Sequence, residues 1–411
     1  MALLAQQLLP RRQNRTMYIL LADAPNSGPD SAAVQPLDAA GQPSAETKIV
    51  RKSELTDVVR SVETQRHPRW VWQRTQAWYP QLLAAGITVE RCHDLGLSAL
   101  VLAGSEFTLT TGYPRETPAV EEVFEARILV DSAQQSLFDE PVRRKGASLD
   151  QLAEELRAQL TAVQKSSQPK RLQLLLAAES AASLVAAEMQ HAGVPWRVDI
   201  HEQLLEDALG PRPTGMQRPE KMDRLLAELR AKLGAIGLNP DSPQDLMRAL
   251  HRAGIETKSA RTWELQNIKH PAIEPLLAYK KLSRLFSANG WAWLDQWVHD
   301  GRFRPEYVVG GVASGRWASR GGGALQIPKQ VRGAVHANHG YKLIVADAAQ
   351  LEPRVLAALA QDAKMAEAAQ DHDLYAGIAA QGFGGDRAKA KVALLGAIYG
   401  ATTGESGRLM P

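Results

Sequence analysis

The stretch from Tyr341 to Tyr399 constrains this chain more than any other. It opens with an apolar run, Tyr341-Lys-Leu-Ile-Val-Ala346, that ends on Asp347. A short apolar run bounded by turn signals reads as a buried strand. Leu351, Val355, Leu356 and Leu359 then recur at helical spacing. Further on, Gly384-Gly385-Asp386 leads into a segment in which Arg387, Lys391, Leu395 and Tyr399 fall at every fourth position. Positions four apart on a helix drift by only about 40° per step, so these side chains share one face. Asp386 is placed to cap that helix, which puts Arg387 in its first turn. A cation there opposes the helix dipole, a small penalty that an anionic ligand would relieve. A carboxylate at a strand end facing a cationic helix face is the chemistry of a metal-bound polyphosphate.

The remaining composition narrows the class. The 411 residues are 45% hydrophobic and 23% charged, as expected of a soluble globular protein with two or three domains. No apolar run approaches the length of a membrane span, so no membrane partner is expected. The basic pair Arg11 and Arg12 follows the apolar start, the wrong order for a secretory signal. A single cysteine, Cys92, excludes an intrachain disulfide, fits a reducing cytoplasm, and reads as a small buried hydrophobe. Residues 212–411 carry 27 Lys and Arg against 19 Asp and Glu, and no acid lies between Glu306 and Asp347. Arg316, Arg320, Lys329, Arg332 and Lys342 fall in that acid-free stretch. Placed just before the candidate metal carboxylate, they point to a nucleic-acid backbone.

In chain order, residues 1–16 read as a leader and Met17 to Ala22 as the first strand. The segment to about Gln151 reads as α/β, with strands at Ala99–Leu102 and Ala126–Val130, a helix from Trp78 to Ala85, and a loop from Asn26 to Glu46. The runs 139–148 and 164–171 read as connectors. Helices are expected over Leu172 to His191, Pro219 to Gly234, Asp245 to Ala253 (capped by Ser242) and Ile273 to Phe286. Trp291, Trp293 and Trp297 read as core anchors. Arg302 to Val309 reads as a strand leading to Ser314-Gly315-Arg316 and the Gly321-Gly322-Gly323 turn.

The order of these motifs resembles the family A DNA polymerases from about residue 172 onward. Asp347-Ala-Ala-Gln350-Leu-Glu352-Pro-Arg354 is similar to that family's motif A, and Arg387-x3-Lys391-x7-Tyr399-Gly400 to its motif B on the fingers helix. Ser314-Gly315-Arg316 with Gln326-x-Pro328 resembles the segment that approaches the primer terminus. The resemblance implies an amino-terminal α/β, RNase H-like exonuclease domain over 17–170 and an α+β polymerase domain over 171–411. Within the latter it implies palm entry and thumb at 171–300, palm at 301–360 and fingers at 361–411. It implies template-directed addition of dNMP from dNTP to a primer 3′ end, in replication or repair, by a monomeric, nucleoid-associated cytoplasmic protein. Asp347 would hold Mg²⁺, Arg387 and Lys391 would meet the triphosphate, and Lys391 would protonate the pyrophosphate. Glu352 would exclude a ribose hydroxyl, Tyr399 would stack near the templating pair, and Gln350, Tyr375 and Leu395 would complete the nucleotide pocket. Lys280, Arg284, Arg316, Gln326 and Arg332 would touch primer-template DNA.

The departures carry expectations of their own. Ala348, Ala349 and Pro353 replace the usual motif A residues, Leu395 stands for an aromatic residue, and Tyr375 stands for a phosphate-contacting His, able to donate a hydrogen bond but without charge. The family's later palm segment, with a second metal carboxylate, does not follow motif B before Pro411. Two-metal chemistry needs both, so the chain is expected to be weak or inactive alone. In the amino-terminal half the first strand ends Asp23-Ala-Pro25 without a partner glutamate, and Trp78 falls in the segment where the family carries a catalytic aspartate. Asp94 matches a non-catalytic position. This implies a degenerate exonuclease-like domain without 3′–5′ activity. Two rival functions stand beside the polymerase: a non-catalytic DNA-binding homologue, and a single-subunit RNA polymerase, against which Glu352 speaks.

Overall fold

A computed structural model of the chain describes residues 18–28, 30–115, 147–215, 217–312, 315–320, 322–370 and 373–400. It divides into two compact units with the boundary between His339 and Gly340. The expected strand at 126–130 lies outside the described residues.

The first unit begins with a five-stranded sheet built from β1 (Tyr18–Asp23), β2 (Ser31–Leu37), β3 (Lys48–Arg51), β4 (Arg69–Trp72) and β5 (Cys92–Asp94). The strand order is β3-β2-β1-β4-β5. β1 pairs antiparallel with β2, and β2 with β3, whereas β1–β4 and β4–β5 are parallel. Alternation along each strand divides two cores. Ile19, Leu21, Trp70 and Trp72 face one side with Val58, Val59, Tyr79 and Leu184; Tyr18, Leu20 and Val71 face the other with Leu152 and Leu156.

The helices that cover this sheet are α1 (Lys52–Arg66), α2 (Thr75–Ala84), α3 (Leu95–Gly104), α4 (Leu149–Lys165) and α5 (Pro169–Ala192). α4 is set by a capping box, in which the Ser148 hydroxyl accepts from Gln151 N and the Gln151 side chain accepts from Ser148 N. α5 is, among the described residues, the one helix long and apolar enough to cross a membrane. Here its Leu172, Leu176, Leu184 and Ala187 are buried in the unit's cores.

Three expectations fail in this region. Residues 26–46 are not all loop: β2 runs through them, its small residues fitting between β1 and β3 where both faces are covered. Ala99–Leu102 is not a strand but the inside of α3, because Asp94 accepts from Leu97 N and starts a helix there. Short apolar runs do not distinguish the two by pattern alone. The connector at 164–171 is only the short break between α4 and α5.

The rest of the first unit is mainly helical. α6 (Val198–Leu209), α7 (Glu220–Leu233), α8 (Pro243–Arg252), the single turn α9 (Thr262–Leu265), α10 (Ile273–Asn289) and α11 (Trp291–Trp297) follow in order. Ser242 caps α8 by accepting from Asp245 N at 3.3 Å. Trp196, Trp293 and Phe303 form an aromatic core with His201, whose Nδ1 accepts from Trp196 Nε1. Trp291 is buried with them and Trp297 is half-buried. The strand expected over 302–309 is broken at Pro305 into two short pieces, Arg302–Phe303 and Glu306–Val308.

The second unit holds α12 (Leu351–Ala360), α13 (Ala363–Ala368), α14 (Leu374–Gly382) and α15 (Arg387–Ile398). The expected buried strand at 341–346 is not formed: the segment is outside any sheet, with Ile344 92% and Val345 90% exposed. An apolar run becomes a strand only where a neighbour completes its ladder. Among the described residues of this unit all regular structure is helical. Leu351, Val355, Leu356 and Leu359, read as helical from their spacing, do lie on α12; Leu356 is half-buried and the other three are exposed.

Candidate nucleotide site

α15 forms as its spacing predicts. Asp386 accepts from Ala388 N at 3.0 Å and Lys389 N at 3.1 Å, fixing the helix start. The bond from Lys389 N is the foremost of several influences that hold the Asp386 carboxyl below the usual range. Arg387 and Lys391, one turn apart, both lie over the ring of Tyr375, at 5.6 Å and 6.0 Å from its centroid. Tyr375 sits in the first turn of α14 and is itself buried, which raises its hydroxyl's pKa. A cation over an aromatic face is attracted by the ring quadrupole, so Tyr375 gathers both charges at one place.

Gln350 ties this helix pair to the turn after Asp347. Its Nε2 donates to Asp373 Oδ1 at 3.0 Å, and its Oε1 accepts from Leu374 N at 2.8 Å. Asp373 in turn caps α14 through Ala376 N and accepts from Arg387 Nε at 2.5 Å. At the other end of α15, the Tyr399 hydroxyl donates to Glu352 Oε1 at 2.7 Å. Arg354 reaches two backbone carbonyls, Ala349 O at 3.2 Å and Ala369 O at 3.0 Å, and so braces the turn from behind.

Residues expected from motifs A and B are therefore joined in one unit: Gln350 with Arg387 through Asp373, Arg387 and Lys391 through Tyr375, and Glu352 with Tyr399. Leu395 is half-buried on the same helix face. Asp347 is exposed at the end of the extended segment, three residues before Gln350. A carboxylate oxygen is the donor that a hard divalent cation prefers, so the donor chemistry of Asp347 fits such an ion. Asp373 is the member of this network to which sequence reasoning gave no role. Its place two residues before Tyr375 was the available signal.

The expected DNA-contact residues lie in the first unit. Arg284 on α10, Arg316 and Arg332 are exposed. Arg332 Nε donates to Ile327 O at 2.9 Å. Lys280 is half-buried, donates to Ala260 O, and has its pKa lowered by burial. Gln326 ends a short 3-10 turn, Ala324–Gln326, and Ser314 lies outside the described residues.

The amino-terminal sheet carries its acids differently. Asp23 pairs with Lys52 at 2.6 Å, and Trp78 is core. Asp94 is buried and accepts from Thr75 N at 2.7 Å, Thr75 Oγ1 at 2.8 Å and Leu97 N at 3.0 Å. Burial raises its pKa while those bonds oppose the rise. Among the described residues the His and carboxylate groups close enough to share a cation are Glu63, His67 and Glu90, none of them singled out by the sequence.

Residues 215–406 match the family model described as DNA polymerase family A. DNA polymerase I of Helicobacter pylori (strain J99) is 26% identical over 184 residues, 40% of this chain and 20% of that protein. DNA polymerase I of Treponema pallidum is 35% identical over 115 residues, 26% of this chain and 12% of that protein. The thermostable DNA polymerase I of Thermus filiformis is 28% identical over 263 residues, 56% of this chain and 30% of that protein. The matches thus span between 12% and 30% of these relatives' own lengths. Among solved structures, the POL domain of Pol1 from M. smegmatis, in complex with DNA primer-template and dNTP, superimposes with a TM-score of 0.64. It shares 20% identity, over 99% of this chain and 71% of that one, a likeness of fold.

Proposed function

Because residues 215–406 belong to DNA polymerase family A, we propose that the chain serves a template-directed DNA polymerase, binding dNTP and primer-template DNA for transfer of dNMP to a primer 3′ end. The observation that carries this reading is the gathering of Arg387 and Lys391 on Tyr375 beside the Asp347 turn. Phosphoryl transfer asks a protein mainly for positioning and charge neutralisation, and this face supplies both.

In this reading Arg387 grips a phosphate through its fork of donors, and Lys391 meets the leaving pyrophosphate as a proton donor. Glu352, held by the Tyr399 hydroxyl, closes the sugar side against a 2′-hydroxyl. Asp347 holds a divalent cation, Mg²⁺ by its oxygen chemistry, and such an ion supplies charge neutralisation at the phosphates. Tyr375 packs behind the two cations, and Gln350 fixes the turn that presents Asp347. Arg284, Arg316, Gln326 and Arg332 meet the DNA backbone.

We read the amino-terminal sheet as a degenerate exonuclease-like domain of RNase H type. What supports this is its order, three antiparallel strands followed by two parallel ones, and an Asp23 tied to Lys52. A fold of this kind is no argument for activity.

The test is nucleotide binding by the 411-residue chain. A fluorescent dATP analogue should bind more tightly with Mg²⁺ than without it. Arg387→Ala should weaken that binding about tenfold or more, the cost of one charge-assisted hydrogen bond. Binding indifferent to both Mg²⁺ and Arg387 overturns the reading. Salt-dependent duplex binding with no dNTP binding would favour a non-catalytic DNA-binding protein instead.

A further inference from the structure

Arg387 already has an anion against it. Asp373 Oδ2 accepts from its Nε at 2.5 Å, and the pair is only about half exposed on the arginine side and about a third on the aspartate side. The carboxylate is not there by chance of a floppy side chain. Its other oxygen, Oδ1, takes Gln350 Nε2 at 3.0 Å and Ala376 N at 3.1 Å, so two neutral donors and one cation fix it in place. The guanidinium is equally constrained, because Tyr375 lies under it and Lys391 shares the same ring. A second anion arriving at Arg387 therefore meets a held negative charge at hydrogen-bonding distance from the same group. Like charges that close repel, and neither partner can swing away without losing its own bonds. The Arg387 pair also holds the Asp373 carboxyl below the usual range, so it stays ionised where a triphosphate does.

We propose that Asp373 is an internal counter-ion that competes with the nucleotide triphosphate for Arg387, and so sets how tightly this face holds phosphate. The inference rests on the reading of Arg387 as a phosphate-binding residue. Asp373 is a positioning residue on this account: it acts on the substrate through Arg387. When a phosphate takes the guanidinium, the Asp373 carboxylate keeps its cap on α14 and its bond from Gln350, so the helix start survives the exchange. The tie through Gln350 also means that the exchange is felt within three residues of Asp347.

The test uses the full chain with Mg²⁺ and two probes, dATP and inorganic tripolyphosphate. Asp373→Asn keeps the size, the cap and the acceptor oxygen but removes the charge. It should tighten both probes by about two- to fivefold, the range set by exposed ion pairs. The gain should shrink for dAMP, vanish for deoxyadenosine, fall with added salt and disappear in an Arg387→Ala background. A purely structural role for Asp373 would produce none of that phosphate dependence. Asp373→Ser, a second capping residue without charge, guards against a folding defect in the first variant. Unchanged or weaker binding by both variants overturns the proposal while wild-type dATP binding leaves the polymerase reading standing. Conversely, tripolyphosphate binding enhanced by Asp373→Asn in a chain that does not bind dATP supports the counter-ion and sinks the polymerase reading.

Discussion

Acidification should weaken the amino-terminal sheet through one residue, His93. It is enclosed on β5, with Nε2 2.7 Å from Gln159 Oε1. The Gln159 amide nitrogen donates to Leu95 O at 2.9 Å and to Glu155 Oε1 at 2.6 Å, which leaves its oxygen as acceptor. The proton of a neutral His93 therefore sits on Nε2. A second proton would place a full charge in the core. Burial pulls the imidazole down to about 4, against a smaller upward pull from Gln159, and the Arg69 charge adds to the fall. The unfolded ring titrates near 6.5. The unfolded chain takes the proton first, so this group's stabilisation is complete above pH 6.5 and is lost as pH falls from there towards 4. About 2.5 units at about 1.4 kcal/mol each give a loss of roughly 3 kcal/mol, of which about 2 kcal/mol has gone by pH 5. Urea unfolding at pH 7.5 and pH 5, compared between the wild type and His93→Gln, isolates the contribution, because Gln does not titrate. The wild type should lose about 2 kcal/mol more than the variant over that interval. Parallel losses in the two proteins would refute the argument, as would an imidazole nitrogen resonance that titrates near 6.5 in the folded chain.

Other consequences can be checked as directly. Asp94→Ala should cost several kcal/mol, about 3 or more, in thermal or urea unfolding, because it strands the Thr75 and Leu97 donors in the interior. Trp293→Ala should cost about 3–5 kcal/mol by emptying the centre of the Trp196–Phe303 cluster, read in the same unfolding experiment. Glu352→Ala should raise the binding of ATP relative to dATP, measured by competition, and an unchanged ratio would remove Glu352 from the sugar side. Labelled single-stranded DNA incubated with the chain and Mg²⁺ should stay intact, with Asp23→Ala making no difference.

What could be read from the sequence was local. The Asp386 and Ser242 caps and the helices α7 and α15 depend on residues within a few turns of each other, and they form as their spacing implies. What could not be read depended on partners far away in sequence. β2 is a strand because β1 and β3 flank it, not because Ser31-Ala-Ala-Val has strand character of its own. The run 341–346 has that character and no strand to pair with among the described residues of its unit. The motif assigned Arg387 to a ligand, and nothing in its spacing announced that Asp373, fourteen residues earlier, would reach it first.

Gln350 stands in the left-handed backbone region, at φ 56°, immediately before α12. A residue other than glycine is uncommon there. Glycine would relieve that conformation and would also delete both bonds that the side chain makes to the start of α14. The position thus exchanges backbone comfort for a mechanical linkage, a short strut between the turn that carries Asp347 and the helix start that confronts Arg387. Gln350→Gly should relax the backbone and remove that strut, leaving the Arg354–Ala369 and Tyr399–Glu352 bonds to join the two halves.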